Sequence, residues 1–197
     1  MKAWIIACIL VCSALAGCGQ RPAPAFNGID ITGAPYGQNF RLLDVGGQTR
    51  TLADYGGKVV LLFFGFAQCP DICPTNLARL AEVMKRLDAD ADKVQVLFVT
   101  VDPERDTPAV LKEYTAAFDA RFAALYTTPE ETRKTAEHFK AFYQKVPLTN
   151  SALGYTIDHT ALTYAFDPQG RLRLALRDTL TVEQTVADIN RLLRVSP

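Results

Sequence analysis

The run Val59-Val60-Leu61-Leu62-Phe63-Phe64-Gly65-Phe66 carries no polar side chain, and it limits the fold more than any other part of the chain. It has the length of a strand but lacks the alternation of a strand with one wet face. Both faces must therefore be covered, which puts this strand in the middle of a sheet. Apolar residues make up 49% of the 197-residue chain, enough for such a core without disulfide staples.

The surrounding pattern supplies the other elements. Residues 40–44 and 48–52 flank Gly46-Gly47 and predict a β-hairpin. Leu77, Leu80, Ala81, Met84 and Leu87 recur at helical spacing, predicting a helix from about Pro74 that residues 88–92 end. Residues 94–101 are a second buried strand. Asp106-Thr107-Pro108 offers a cap and a first-turn proline to a helix with the stripe Val110, Leu111, Tyr114 and Phe118. A short strand at 122–126, a helix at 129–142 and a loop at 145–155 follow. Strands at 159–166 and 172–176 enclose the turn Asp167-Pro168-Gln169-Gly170. Thr181 then caps a final helix bearing Val182, Val186, Ile189 and Leu193. Parallel strands joined by helices, then an antiparallel hairpin and a helix, is thioredoxin-like order: an α/β fold with an N-terminal β-hairpin extension.

Charge excludes one class of partner. Lys+Arg and Asp+Glu both total 21, and no basic stripe is present, so nucleic acid is not an expected ligand. The N-terminus is different material. Lys2 precedes an apolar run at 3–15 broken only by Ser13, shorter than the roughly 20 residues of a membrane-spanning helix. With small residues following, it reads as an export signal. It ends Leu15-Ala16-Gly17-Cys18, which resembles the bacterial lipobox. That resemblance implies lipidation of Cys18 and anchoring by several acyl chains; ordinary cleavage near Gly17 is the other reading. The expected division is a signal peptide at 1–17, a Gly-, Pro- and Ala-rich tether at 18–37 and a folded domain at 38–197. The domain is expected in the bacterial cell envelope, lipid-anchored to a membrane and facing the periplasm.

With Cys8 and Cys12 lost in the signal and Cys18 acylated, Cys69 and Cys73 remain. A bridge closing so short a loop constrains little chain entropy, so chemistry explains the pair better than stability. The stretch 65–74 leads from the central strand into a helix, where ligands of open α/β sheets gather. Pro70 and Pro74 disfavour helical angles at the residue before each. Cys73 is therefore expected as the helix cap, with Pro74 first in the helix and the Cys73 thiol pKa lowered by the helix's positive end. Two thiolates serve disulfide exchange or a soft metal, and three intervening residues instead of two weaken the first use. Of the two histidines, His138 falls mid-helix and is expected on the surface. His159, in a polar turn, is either structural or a third ligand. Met84, Phe63, Phe64 and Phe66 are expected in the core. Residues 102–108 read as a proline turn and helix cap, with partner docking by Arg105 or Asp102 as the alternative.

The pieces Gly56-Gly57-Lys58, Gly65-Phe66-Ala67-Gln68-Cys69-Pro70-Asp71-Ile72-Cys73-Pro74, Val101-Asp102-Pro103-Glu104-Arg105-Asp106-Thr107-Pro108, Asp158-His159-Thr160 and Tyr164 through Gly170 stand in one order. Together they closely resemble the SCO/SenC family, from about Gln38 to the C-terminus. Ala67 and Thr160 depart from the commoner threonine and serine, and neither is a ligand position. The resemblance implies a thioredoxin-fold copper protein that assists assembly of the dinuclear copper centre of cytochrome c oxidase. It implies copper ligation, as Cu(I) or Cu(II), by Cys69, Cys73 and His159. The implied partners are the copper-accepting oxidase subunit and another periplasmic copper chaperone. Soft thiolates suit Cu(I) and imidazole suits both states, and with His138 expected on the surface no fourth Cys or His is available to close a zinc site. Asp158 either orients His159 from behind or is a turn residue.

Two further readings use the same residues. A thiol–disulfide reductase acting on the oxidase subunit's cysteines needs only Cys69 and Cys73. A peroxidase needs an arginine beside one activated cysteine, and Arg79, expected on the surface, is its candidate in the first helix.

Overall fold

The computed structural model describes residues 25–149 and 151–194. The expected signal peptide and Cys18 lie outside the described residues. The apolar run becomes β4 (Val59–Gly65), every residue of which is buried. It lies between β5 (Val94–Thr100), which it pairs in parallel, and β9 (Thr163–Phe166), which it pairs antiparallel. Each large side chain it buries contributes about 1.5–3 kcal/mol.

Ten strands and four helices are described. The others are β1 (Ile29–Asp30), β2 (Arg41–Asp44), β3 (Thr49–Thr51), β6 (Ala123–Tyr126), β7 (Tyr143–Pro147), β8 (Tyr155–His159) and β10 (Leu172–Leu176). The helices are α1 (Ile72–Leu87), α2 (Pro108–Ala116), α3 (Pro129–His138) and α4 (Val182–Leu193). The main sheet runs β1-β10-β9-β4-β5-β6-β2-β3, and β7-β8 forms a separate two-stranded sheet. The β4-α1-β5-α2-β6 path followed by β9-β10-α4 is the thioredoxin-like order expected. The predicted hairpin is β2–β3, which joins the sheet beside β6. Thr107 and Thr181 cap α2 and α4 as expected, accepting from Val110 N and Gln184 N.

Four expectations change. The tether does not reach Gly37, because β1 pairs with β10, and buried Asp188 of α4 accepts from the amides of Asn27 and Gly28 at 3.0 and 2.8 Å. The helix predicted over 129–142 stops at His138, where Lys140 adopts φ +57° and turns the chain into β7. The stretch 145–155 is not one loop, since β7 and β8 pair along it. His159 therefore ends a strand instead of beginning the one that becomes β9. Alternation of half-exposed polar residues is a weak signal for so small a sheet. Finally, Val110 is exposed, and Leu111 and Thr115 are the buried residues of α2.

Candidate metal centre

The cysteine loop grows out of the carboxyl end of β4. Its base is fixed on both sides: Gly65 O accepts from Val101 N at 2.8 Å, and Ala67 N donates to Asp106 Oδ2 at 3.0 Å. Cys69 N donates to Phe66 O, which curls the loop back toward the sheet. Helix α1 begins at Ile72 with Asp71 as its cap residue, so Cys73 lies inside the first turn and is not the cap. Pro74 is tolerated there because the first N–H groups of a helix have no partner inside it.

This shift reverses the expected chemistry of the two thiols. Cys69 is half-buried, and its sulfur accepts from Cys73 N at 3.4 Å. A hydrogen bond from Cys73, the nearby His159 imidazole and the backbone amides of Cys73 and Asp71 outweigh burial and lower the Cys69 pKa to about 4. Cys73 is fully buried, and its pKa is raised by its hydrogen bond to Cys69, by burial and by the Cys69 charge. The pair thus holds one proton at neutral pH, on Cys73, and Cys69 is the thiolate.

His159 comes to this pair from the far end of β8. Its Nε2 is 3.3 Å from Cys73 Sγ and 4.0 Å from Cys69 Sγ. Its Nδ1 is 3.1 Å from the Thr160 carbonyl, which only accepts, so Nδ1 donates there and Nε2 is the nitrogen turned to the sulfurs. The Phe63 and Phe66 rings meet the imidazole edge-on with centroids at 5.9 Å. These two phenylalanines are core residues, as expected, and also walls of the site. Asp158 does not orient the imidazole: it is exposed, and the Thr160 carbonyl holds the position expected for it. Sequence reasoning missed this partner because a main-chain carbonyl leaves no residue-type signal.

The remaining expectations divide. His138 is exposed and accepts from Gln38 N at 3.2 Å, away from the cysteines. Met84 is buried in the core. Arg79 is half-buried and committed to Thr185 Oγ1 and Asn76 Oδ1, at 2.8 and 2.6 Å, so it is not the surface residue expected. Asp106, at 1% exposure, accepts from Thr100 Oγ1 at 2.6 Å as well as from Ala67 N, and burial raises its pKa. Its place after β5 was the available signal for a role at the loop.

Among the described residues, the ligand atoms of Cys69, Cys73 and His159 all lie within 4.8 Å of one another. Two sulfurs and an imidazole nitrogen form a soft set that could bind copper. Cys69 and His159 line a groove of about 340 Å³ whose walls include Phe66, Ile72 and Asp158, and Cys73 lies buried behind them.

Known proteins share this arrangement's framework. The sequence profile of the SCO1/SenC family matches residues 30–194. An SCO2-like protein of Rickettsia felis is 32% identical over 182 residues, covering 87% of this chain and 89% of its own. The structure of Bradyrhizobium japonicum ScoI with copper bound is 39% identical, with a TM-score of 0.70 over 85% of this chain and 99% of that one. Apo Sco1 from Thermus thermophilus is 38% identical, with a TM-score of 0.75 over 85% and 97% of the two chains. On the extent of the profile match and of these similarities, the chain is a member of the SCO1/SenC family.

Proposed function

We propose that the protein is a copper metallochaperone that binds copper through Cys69, Cys73 and His159 and delivers it to the dinuclear copper centre of cytochrome c oxidase. The convergence of three soft donors from two separate segments carries this reading. Three protein ligands leave coordination positions open for an acceptor, as transfer requires. The groove beside the site gives an acceptor's ligands a way to reach the metal. Family membership, with copper-bound ScoI among the similar structures, supports the choice of metal. In this reading Cys18 carries the lipid, residues 1–17 are the export signal, and the domain faces the periplasm. No helix among the described residues is long and apolar enough to cross a membrane.

Copper titration of the reduced protein tests the proposal. A 1:1 complex with thiolate-to-Cu(II) absorption is expected in wild type and lost in Cys69→Ser, Cys73→Ser and His159→Ala. Full Cu(II) binding in His159→Ala sinks the three-ligand site.

The half-exposed Cys69 thiolate backed by a buried Cys73 thiol favours a second reading, a thiol–disulfide reductase for the acceptor's cysteines. Cys69 Sγ would attack a client disulfide and Cys73 would resolve the mixed disulfide. The client leaves as a dithiol and this pair is left oxidised. His159→Ala separates the two, since reductase turnover survives it and the three-ligand copper site does not.

A further inference from the structure

The loop between β5 and α2 touches both halves of the metal centre through neighbouring residues. Asp106 holds the cysteine half by accepting from Ala67 N. Arg105, the residue before it, holds the histidine half. Its Nη1 donates to the carbonyls of Leu153 and Tyr155, at 3.2 and 2.9 Å, and its Nε donates to Asp102 Oδ2 at 2.5 Å. The guanidinium carbon lies 3.7 Å from the centroid of the Tyr155 ring, and the Tyr155 hydroxyl donates to Asp102 Oδ1 at 2.7 Å. Asp102 is 1% exposed, so this is a desolvated, charge-assisted cluster and not a screened surface pair.

The hairpin it grips is also joined to this loop by the Lys145–Glu104 pair, which is exposed and contributes little. In β7 and β8 only Ile157 is buried. The end near His159 is tied by the paired bonds between Phe142 and Thr160, at 2.9 Å each. The opposite end, where β8 begins, is tied by Arg105. A two-stranded hairpin is marginal by itself, so its orientation over the cysteines depends on such ties.

We propose that Arg105 is a positioning residue of the metal centre, which, with Asp102 and Tyr155, clamps the β7–β8 hairpin so that His159 meets the cysteines before metal arrives. This rests on the copper reading above. It also replaces the alternative of Arg105 as a docking residue, because its guanidinium is bonded through Nε and Nη1, stacked on Tyr155 and buried at Nη2. An imidazole held in place only part of the time weakens apparent affinity by the fraction of time it is in place.

The test is a double-mutant cycle on the reduced full-length protein, with Cu(II) affinity as the readout and thermal unfolding to verify folding. Arg105→Ala is expected to weaken Cu(II) binding about tenfold and to have no further effect in a His159→Ala background. Tyr155→Phe, which removes only the phenol bond to Asp102, is expected to give a smaller loss with the same dependence on His159. It carries the test if Arg105→Ala does not fold. Arg105→Lys should rescue only in part, since an ammonium cannot reproduce the forked contacts. In the metal-free protein, amide exchange over residues 155–159 should accelerate in Arg105→Ala while β4 stays protected. Equal copper loss in both backgrounds, no loss in either, or unchanged exchange of β8 overturns the positioning role. Loss of copper in His159→Ala alongside any of these leaves the chaperone reading standing. A wild-type protein that binds no copper overturns both.

Discussion

The two halves of the candidate metal centre belong to different kinds of structure. Cys69 and Cys73 project from a loop whose ends are a fully buried central strand and the first turn of the helix that covers it. His159 ends a two-stranded sheet outside the main one, with a single buried side chain and hydrogen-bonded ties at its two ends. Moving the thiols means disturbing the core, where packing density makes displacement costly. Moving the imidazole means releasing a few polar contacts, of the kind that open locally without global unfolding. On the proposed function, two fixed sulfurs and one releasable nitrogen would let the protein grip a metal and then release it.

The most severe way to break this contrast is to remove one ligand from each half. Cys73→Ala should abolish tight binding of both copper states, because one sulfur and one imidazole remain. His159→Ala should leave Cu(I) on the sulfur pair while Cu(II) affinity falls by more than about a hundredfold, beyond what loss of an outer-shell partner produces. Competition titrations with a chelator for each oxidation state measure both. If the two variants lose Cu(I) equally, the halves are not distinct.

A smaller effect comes from one glycine in each half. A Cβ on Gly65 would meet Cys73 Sγ at 2.7 Å and Phe98 Cε2 at 2.8 Å, both within the core. Gly65→Ala should cost about 1–3 kcal/mol of stability by overpacking and weaken copper binding by displacing the sulfur. Gly154, in the turn between β7 and β8, has φ +71° and open space around it. Gly154→Ala should cost about 1–2 kcal/mol through backbone strain alone and leave the cysteines untouched. Denaturant melts of the two variants, with thiol reactivity measured in each, check the difference.

The same division decides what the sequence could reveal. The cysteine half was legible because its signals are local: an unbroken apolar run, two cysteines with prolines after them and a helical stripe. Only its detail was misread, since proline rules argued for Cys73 as the cap and the first turn absorbed Pro74 at no hydrogen-bond cost. The histidine half was legible only by resemblance. Nothing between Tyr143 and His159 has the amphipathic strength to predict β7–β8, and the ties that orient it join Arg105 to carbonyls about fifty positions away. Asp102 and Arg105 read locally as a turn, and their partners are set by tertiary packing.

Thiol chemistry sharpens the comparison inside the cysteine half. With the Cys69 pKa lowered from 9.0 to about 4, its thiolate persists down through mildly acidic pH. An ordinary thiol would lose its thiolate as pH falls below about 8.5. Alkylation by iodoacetamide should therefore modify one cysteine, Cys69, at a rate nearly constant between about pH 5 and 8 and falling as pH approaches 4. Cys73, buried and shifted upward, should be spared. Cys73→Ala removes the largest cause of the shift and should move the midpoint upward, toward that of an ordinary thiol. Mass mapping of the alkylated peptide across pH distinguishes these outcomes, and equal labelling of both cysteines at neutral pH would contradict the shared-proton pair.

The smallest expected effect belongs to Asp158, next to the imidazole in sequence. Its carboxylate is exposed, and the His159 Nδ1 proton is held by the Thr160 carbonyl. A surface charge without a bond to the ligand changes energies by no more than about 0.5 kcal/mol, so Asp158→Asn should keep copper affinity within about twofold. The contact that matters cannot be removed by changing a side chain, because it is a main-chain carbonyl. Thr160→Pro would disturb it indirectly by deleting the Thr160 N–H bond to Phe142 O, loosening the hairpin end that carries His159. The pair of variants therefore reads sequence proximity against hydrogen bonding: Asp158→Asn silent and Thr160→Pro deficient in Cu(II) is the expected result. A tenfold loss in Asp158→Asn would show that the carboxylate, and not the carbonyl, sets the imidazole.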